Sequence, residues 1–156
     1  MEFNEKNTRF DLVVDNWEDA IIESCKPLEK LGLANEIYKY KIINDVKKYG
    51  SYIMISPNIV IPHTRPQNGS IDVGYCLTTI KNDIYFDDNK EFPIKVLISF
   101  TAIDNENHLE MLKNIIKVIE VGLVNKLGKF YKLDSKGKLN YLNSIIKSSG
   151  NKSSKT

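Results

Sequence analysis

Apolar and polar positions alternate along this chain with two periods, and the changes of period mark its elements. From Trp17, the positions Ala20, Ile21, Ser24, Cys25, Leu28 and Leu31 recur at three- and four-residue spacing, one face of an amphipathic helix. Asp15 is the predicted N-cap, and Glu18 and Asp19 fall in the first turn, where the helix dipole favours acids. Pro27 predicts a bend or an end, Gly32 a stop, and Trp17 a core or capping aromatic. A second helix is predicted over about 35–48, with Ile37, Tyr38, Ile42, Val46 and Tyr49 on its apolar side and Gly50 closing it. The period then shortens. Two apolar runs, 52–55 and 59–61, flank the turn signal Ser56-Pro57-Asn58 and read as strand, turn, strand. Residues 73–80 read as a strand in which Gly74 marks a bulge or a close contact, and 84–86 as a short one. The near-continuous run within 94–101 reads as a central buried strand. Leu109, Leu112, Ile115, Ile116 and Ile119 stripe a third helix that starts in 104–107 and ends near Gly122. A last helix covers about 135–147, with Leu139, Leu142, Ile145 and Ile146 facing in.

Strands separated by helices and hairpins predict an α/β (or α+β) sandwich: a mixed, about five-stranded sheet with helices on both faces. Residues 1–147 form one domain, with 1–11 polar and loosely held, 87–91 a charged loop and 148–156 a disordered tail. At 156 residues the chain is long enough for one domain with a real core.

Composition narrows the classes. A net charge of +2, with lysines scattered, is too small for a nucleic-acid stripe or a membrane-surface patch. No apolar run reaches the ~18–20 residues of a membrane span, and the polar start does not read as a secretory signal. Cys25 and Cys76 lie far apart and form no Cys-x-x-Cys pair, which predicts free thiols in the cytoplasm. No metal or cofactor is expected: there is no zinc-ligand spacing, no Gly-rich phosphate loop and no Gly-x-Ser-x-Gly elbow.

The candidate chemistry rests on the only two histidines. His63 follows Pro62, which ends a strand because proline lacks the N–H that a ladder needs, and Pro66 stiffens the far side. His108 falls in the first turn of the third helix, where the dipole favours a neutral imidazole and attracts anions. Both stand at strand exits, so they can meet at one edge of the sheet with Arg65 nearby. A neutral imidazole is nucleophilic near pH 7, and phosphoryl transfer asks mainly for positioning and charge stabilisation. Phosphoryl carriage by histidine fits this set, against the alternative that both rings are structural. An acid–base hydrolase has less support, since no carboxylate is evidently placed beside either histidine and Asp104 and Glu106 read as caps.

The run Ile-Ser-Pro-Asn-Ile-Val-Ile-Pro-His-Thr-Arg-Pro, 55–66, resembles the active-site segment of the EIIA (IIA) proteins of the bacterial phosphoenolpyruvate-dependent sugar phosphotransferase system. The likeness is to the fructose–mannitol superfamily (EIIA type 2), and within it to the ascorbate-type branch. Thr101-Ala102-Ile103-Asp104-Asn105-Glu106-Asn107-His108-Leu109 resembles the family's second conserved-pattern segment, and the match runs in order over about 12–147. The resemblance implies a three-layer α/β/α sandwich that accepts phosphate from phospho-HPr and passes it to a cysteine of EIIB. The membrane EIIC permease then imports the sugar. It further implies that His63 is the phosphorylated residue, a tele-phosphohistidine, and that His108 stabilises the phosphoryl group without carrying it. Arg65 and Thr64 are supporting candidates. Thr64 replaces the family's usual alanine, Val60 a usual small residue, and Lys47 and Lys48 stand where the mannitol-type branch carries an arginine. A regulatory EIIA-like module, whose phosphohistidine signals to partners, is the alternative function. A catalytically silent scaffold and a metal-dependent hydrolase are more distant ones.

Overall fold

The computed structural model describes residues 1–87 and 90–150. Its strands are β1 (Thr8–Leu12), β2 (Met54–Ser56), β3 (Ile59–Val60), β4 (Gly74–Ile80) and β5 (Val96–Thr101). They form one mixed sheet in the order β1-β4-β5-β3-β2. β1 runs parallel to β4 and β3 parallel to β5, while β4 is antiparallel to β5 and β2 to β3. Helices α1 (Trp17–Lys30) and α2 (Ile37–Tyr49) cover one face; α3 (Asn105–Gly122), α4 (Leu127–Tyr131) and α5 (Ser135–Ser148) cover the other. This is the expected α/β/α sandwich.

The two-residue period of the strands separates the two cores. On β5, Leu97 packs towards α1 and α2, and the Ser99 hydroxyl on that side donates to the Ser24 carbonyl at 2.9 Å. Val96, Ile98 and Phe100 pack towards α3 and α5. On β3, Val60 joins the first core, and Ile59 and the following Ile61 the second. The same alternation carries past Pro62 and brings His63 to the side of α3. Because β3 and β5 are parallel, their exits share one end of the sheet, and the loop and helix that follow them carry the two histidines.

Helix limits have local causes. Asn16, not Asp15, caps α1: its side chain accepts from the Asp19 N–H at 2.8 Å. Pro27 is buried within α1 and does not end it. The helix stops in a Schellman arrangement, with Gly32 N–H on Glu29 O at 3.0 Å and Leu33 N–H on Leu28 O at 2.8 Å, and Gly32 supplies the φ of +74° that the turn requires. Gly74 does mark a close contact, since an added Cβ would lie 2.3 Å from Leu33 Cδ1. On α2 the buried face is Tyr38, Ile42, Ile43 and Val46, while Ile37 and Tyr49, expected inside, are exposed.

Further expectations are corrected. The N-terminus is not loose: Thr8–Leu12 forms β1, and the buried Phe3 exchanges two 2.9 Å hydrogen bonds with the Asn143 side chain while its ring meets Tyr75 edge-on. Residues 84–86 form no strand. Both sides of β4 are already paired, with β1 and β5, so 84–86 have no place beside it; Ile84 O accepts one hydrogen bond from Ile94, and Phe86 packs on Trp17. The short helix α4 went unread in the pattern. α5 runs to Ser148, and Ser149 is buried. Residues 88–89 of the charged loop and 151–156 of the expected tail lie outside the described residues. Both cysteines are free and buried, which pushes their thiols up to about 12. No helix among the described residues is long and apolar enough to cross a membrane.

Candidate functional site

The two histidines meet. Their ring centroids are 5.4 Å apart, with the planes tilted by 55°. Phe100 at the end of β5 is the platform between them. It is fully buried, stacks on His63 at 5.2 Å with 23° between planes, and touches His108 at 5.0 Å. The rings open into a cleft of about 630 Å³ lined also by Asp45, Tyr49, Tyr52, Thr64, Arg65, Asn68 and Leu109.

His63 is set by the chain on both sides. Pro62 ends the ladder, its carbonyl accepting from Phe100 N–H at 3.4 Å. His63 Nδ1 lies 2.6 Å from the Ile61 carbonyl oxygen. A carbonyl can only accept, so the neutral ring carries its hydrogen on Nδ1, and Nε2 keeps its lone pair towards the cleft. Burial lowers the His63 pKa below the ordinary histidine value, and His108 lowers it further; the Ile61 hydrogen bond and Asp45 oppose this. The ring is therefore neutral and nucleophilic near pH 7.

His108 is placed by the cap of α3. The Asp104 side chain accepts from Asn107 N–H at 2.7 Å, and Asp104 O accepts from His108 N–H at 2.9 Å. The His108 pKa is also lowered by burial, and its Nδ1 is buried without a partner. Its other nitrogen is the one available to a group in the cleft.

After His63 the chain is anchored to α2. Thr64 N–H donates to the Tyr38 hydroxyl at 3.3 Å, which in turn donates to Phe100 O at 2.6 Å. The buried Thr64 hydroxyl donates to Asp45 at 2.8 Å and accepts from Asn68 Nδ2 at 2.9 Å. It is thus committed to the wall and does not face the rings. A 3₁₀ turn over Pro66–Asn68 brings Asn68 back to this position. It ends at Gly69, whose φ is +121° and whose absent Cβ would lie 2.4 Å from Asn35 Oδ1. Arg65 is exposed on the rim and makes no ion pair among the described residues. Lys47 and Lys48 do not line the cleft.

The structure thus brings together His63, His108, Thr64 and Arg65. Sequence reasoning missed Phe100, Asp45, Asn68 and Tyr52. The carboxylate it did not find comes from α2, 18 residues before His63. A signal for Phe100 was present, since β5 parity and the strand exit both point to it. None existed for Asp45, whose approach depends on how α2 packs. Among the described residues no three His, Cys, Asp or Glu side chains cluster as metal ligands.

Fold and site together define a class: a phosphoryl carrier built on an α/β sandwich, with a histidine pair at the carboxyl ends of two parallel strands. The family follows from comparison with known proteins. The chain belongs to the EIIA type 2 family of the phosphoenolpyruvate-dependent sugar phosphotransferase system, whose model matches residues 1–130. It is 28% identical over 116 residues to the ascorbate-specific PTS system EIIA component of Shigella dysenteriae serotype 1 (strain Sd197), covering 74% of this chain and 75% of that protein. The solution structure of the mannitol-specific cryptic phosphotransferase enzyme IIA CmtB from Escherichia coli superposes with a TM-score of 0.74 at 25% identity, covering 94% of this chain and 95% of that one. The complex of enzyme IIAMTL and phosphorylated enzyme IIBMTL from Escherichia coli gives a TM-score of 0.75 at 14% identity, covering 92% of this chain and 98% of that one.

Proposed function

We propose that His63 is the residue that carries the phosphoryl group, on Nε2, between HPr and EIIB in the uptake of a carbohydrate of the ascorbate class. The supporting observation is the 2.6 Å contact of Nδ1 with the Ile61 carbonyl, which leaves Nε2 as the free nucleophile in the cleft. In the first step the Nε2 lone pair attacks the phosphorus of phospho-HPr. A new N–P bond forms as the donor's N–P bond breaks, and the electron pair returns to the donor imidazole. In the second step a cysteine thiolate of EIIB attacks, and the pair of the His63 N–P bond returns to Nε2. The hydrogen stays on Nδ1, donated to the Ile61 carbonyl throughout, so no proton need leave the ring. His108 donates from its accessible nitrogen to the phosphoryl oxygens as charge gathers there. Arg65 on the rim meets the charge of phosphate or partner. Thr64 acts by holding the segment that bears His63.

The ascorbate assignment is supported by the names of the curated relatives. The EIIB partner is supported by the IIAMTL–IIBMTL complex of the same fold. A carrier of this kind works in the cytoplasm. Incubation with phosphoenolpyruvate, enzyme I and HPr places an acid-labile, base-stable phosphate on the protein, and His63→Ala abolishes it. His108→Ala accepts phosphate but passes it on poorly. Label retained by His63→Ala, or mapped to His108, refutes the assignment. Transfer to an ascorbate-type EIIB in preference to a mannitol-type one tests the substrate class.

A further inference from the structure

We propose that Asp45, fixed in the cleft by Thr64, is a charge-tuning residue that raises the phosphoryl-transfer potential of His63. The inference rests on phosphoryl carriage by His63 and concerns how strongly the group is held there. Asp45 stands on α2 and lines the cleft that the two imidazoles open into. A free surface carboxylate would swing into solvent, but this one accepts the Thr64 hydroxyl at 2.8 Å. Thr64 itself is buried, 3% exposed, and its hydroxyl also accepts from Asn68 at 2.9 Å. The residue whose hydroxyl holds the carboxylate is the one that follows the phosphoryl-bearing residue. The charge is felt at both neighbouring aromatic groups. Asp45 supports the protonated form of His63 against burial, and it adds to the burial that pushes the Tyr52 hydroxyl up to about 12.

The consequence follows from sign. A phosphoryl group on Nε2 brings close to two negative charges into the cleft. The facing groups are Tyr52 before β2, Asp45 on α2, Arg65 after β3 and His108 on α3. His108 and Arg65 favour the phosphorylated state; Asp45 opposes it. An opposed anion leaves more readily, so the carboxylate makes the phosphoprotein a better donor to the next protein in line. Thr64 and Asp45 therefore act as a pair, the hydroxyl placing the charge.

The test uses the full chain with phosphoenolpyruvate, pyruvate, enzyme I and HPr at fixed ratios, and reads the equilibrium fraction phosphorylated on His63. Asp45→Asn keeps an acceptor for Thr64 and removes the charge. Its equilibrium constant for phosphorylation should rise about fivefold at low salt, the size expected for a unit charge facing a dianion across a solvated cleft. The gain should shrink as salt screens the pair, and the His63 titration followed by NMR should move down in the unphosphorylated protein. Thr64→Ala, which frees the carboxylate, should shift the equilibrium the same way by less. Asp45→Ala should match Asp45→Asn, because both lose the charge. An unchanged equilibrium in Asp45→Asn, or a change only in Asp45→Ala, overturns the inference and leaves His63 carriage standing. If the wild-type protein takes no phosphate on His63, carriage by His63 fails first and the inference with it.

Discussion

Phe100 is the side chain on which the site is built, and Phe100→Leu tests that directly. The ring is fully buried and contacts both imidazoles, at 5.2 and 5.0 Å. Leucine keeps the position apolar but removes the flat surface. The smaller buried area costs about 1 kcal/mol. Loss of two aromatic contacts adds about 0.5–1.5 kcal/mol each. The sum is about 2–4 kcal/mol, and a loss near 3 kcal/mol lowers Tm by about 6–12 °C in a domain of this size. Urea unfolding and thermal melts measure the loss, with Ile98→Val on the same strand face as a control expected to cost about 0.5–1.5 kcal/mol. A second readout separates platform from filler. Burial is the main cause of the lowered pKa at His63 and the cause at His108. Water admitted beside leucine should raise both towards the ordinary value, and phosphoryl acceptance should slow because the nucleophile is less well held. If Phe100→Leu melts like the control and both histidine titrations stay where they were, the ring is core filler and the platform argument is wrong.

Three further outcomes follow from single contacts. Both imidazoles titrate below the ordinary value of about 6.5, so the folded state binds fewer protons than the unfolded one; their contribution is complete above about pH 6.5 and is lost as pH falls through the lowered values. Urea midpoints at several pH values should therefore fall more steeply on acidification for the wild-type protein than for His63→Gln, and equal slopes would contradict the burial argument. Lys138 is 1% exposed, donates to the Tyr131 and Leu133 carbonyls at the end of α4, and has Phe10 and Phe130 ring centroids each 5.8 Å from its ammonium nitrogen. Lys138→Met loses those bonds but also the cost of burying a charge, for a net loss of about 1–3 kcal/mol in denaturant unfolding; a stabilised variant would mean that desolvation dominates. Gly32→Ala meets no atom within 4 Å, so its cost is the positive φ alone, about 1 kcal/mol, and a neutral result would show that the turn relaxes.

Much of the fold was legible because its signals are local. The α1 stripe buries Ala20, Ile21, Ser24, Cys25 and Leu28, the β5 run is buried throughout, and the α3 stripe buries Ile115 and Ile119. The last position of the first stripe, Leu31, and the first of the third, Leu109, are exposed. The larger failures turn on packing that local spacing does not show: the deciding partner lies far along the chain or is missing. Residues 1–11 look polar, yet Thr8–Leu12 becomes a strand because β4 offers it an edge about 70 residues away. Residues 84–86 look like a strand, but that edge is already taken. On α2, Tyr49 continues the apolar spacing and is 65% exposed, because it sits over the cleft where no other layer covers it. An aromatic at helical spacing says which face it lies on, not whether anything packs against that face.

The site divides along the same line, and the division has a chemical meaning. His63 and His108 were found because backbone events mark them: a proline ends one strand, and an acidic cap opens the helix after the other. In the proposed carrier these features hold a nucleophile and a phosphoryl-supporting ring in place, and they are written in neighbouring residues. The groups that adjust how the site behaves come from elsewhere. Phe100 reaches both rings from β5, and Asp45 reaches the cleft from α2 through Thr64. Presence of the chemistry therefore depends on short motifs, while its energetics depend on packing between layers. Two chains with the same Pro-His and Asp-x-x-x-His spacings can then differ in how tightly they hold the phosphoryl group. If Asp45 tunes His63 as proposed, the residue after the first histidine sets this difference when, as with Thr64, its hydroxyl fixes a charge that alanine would leave free.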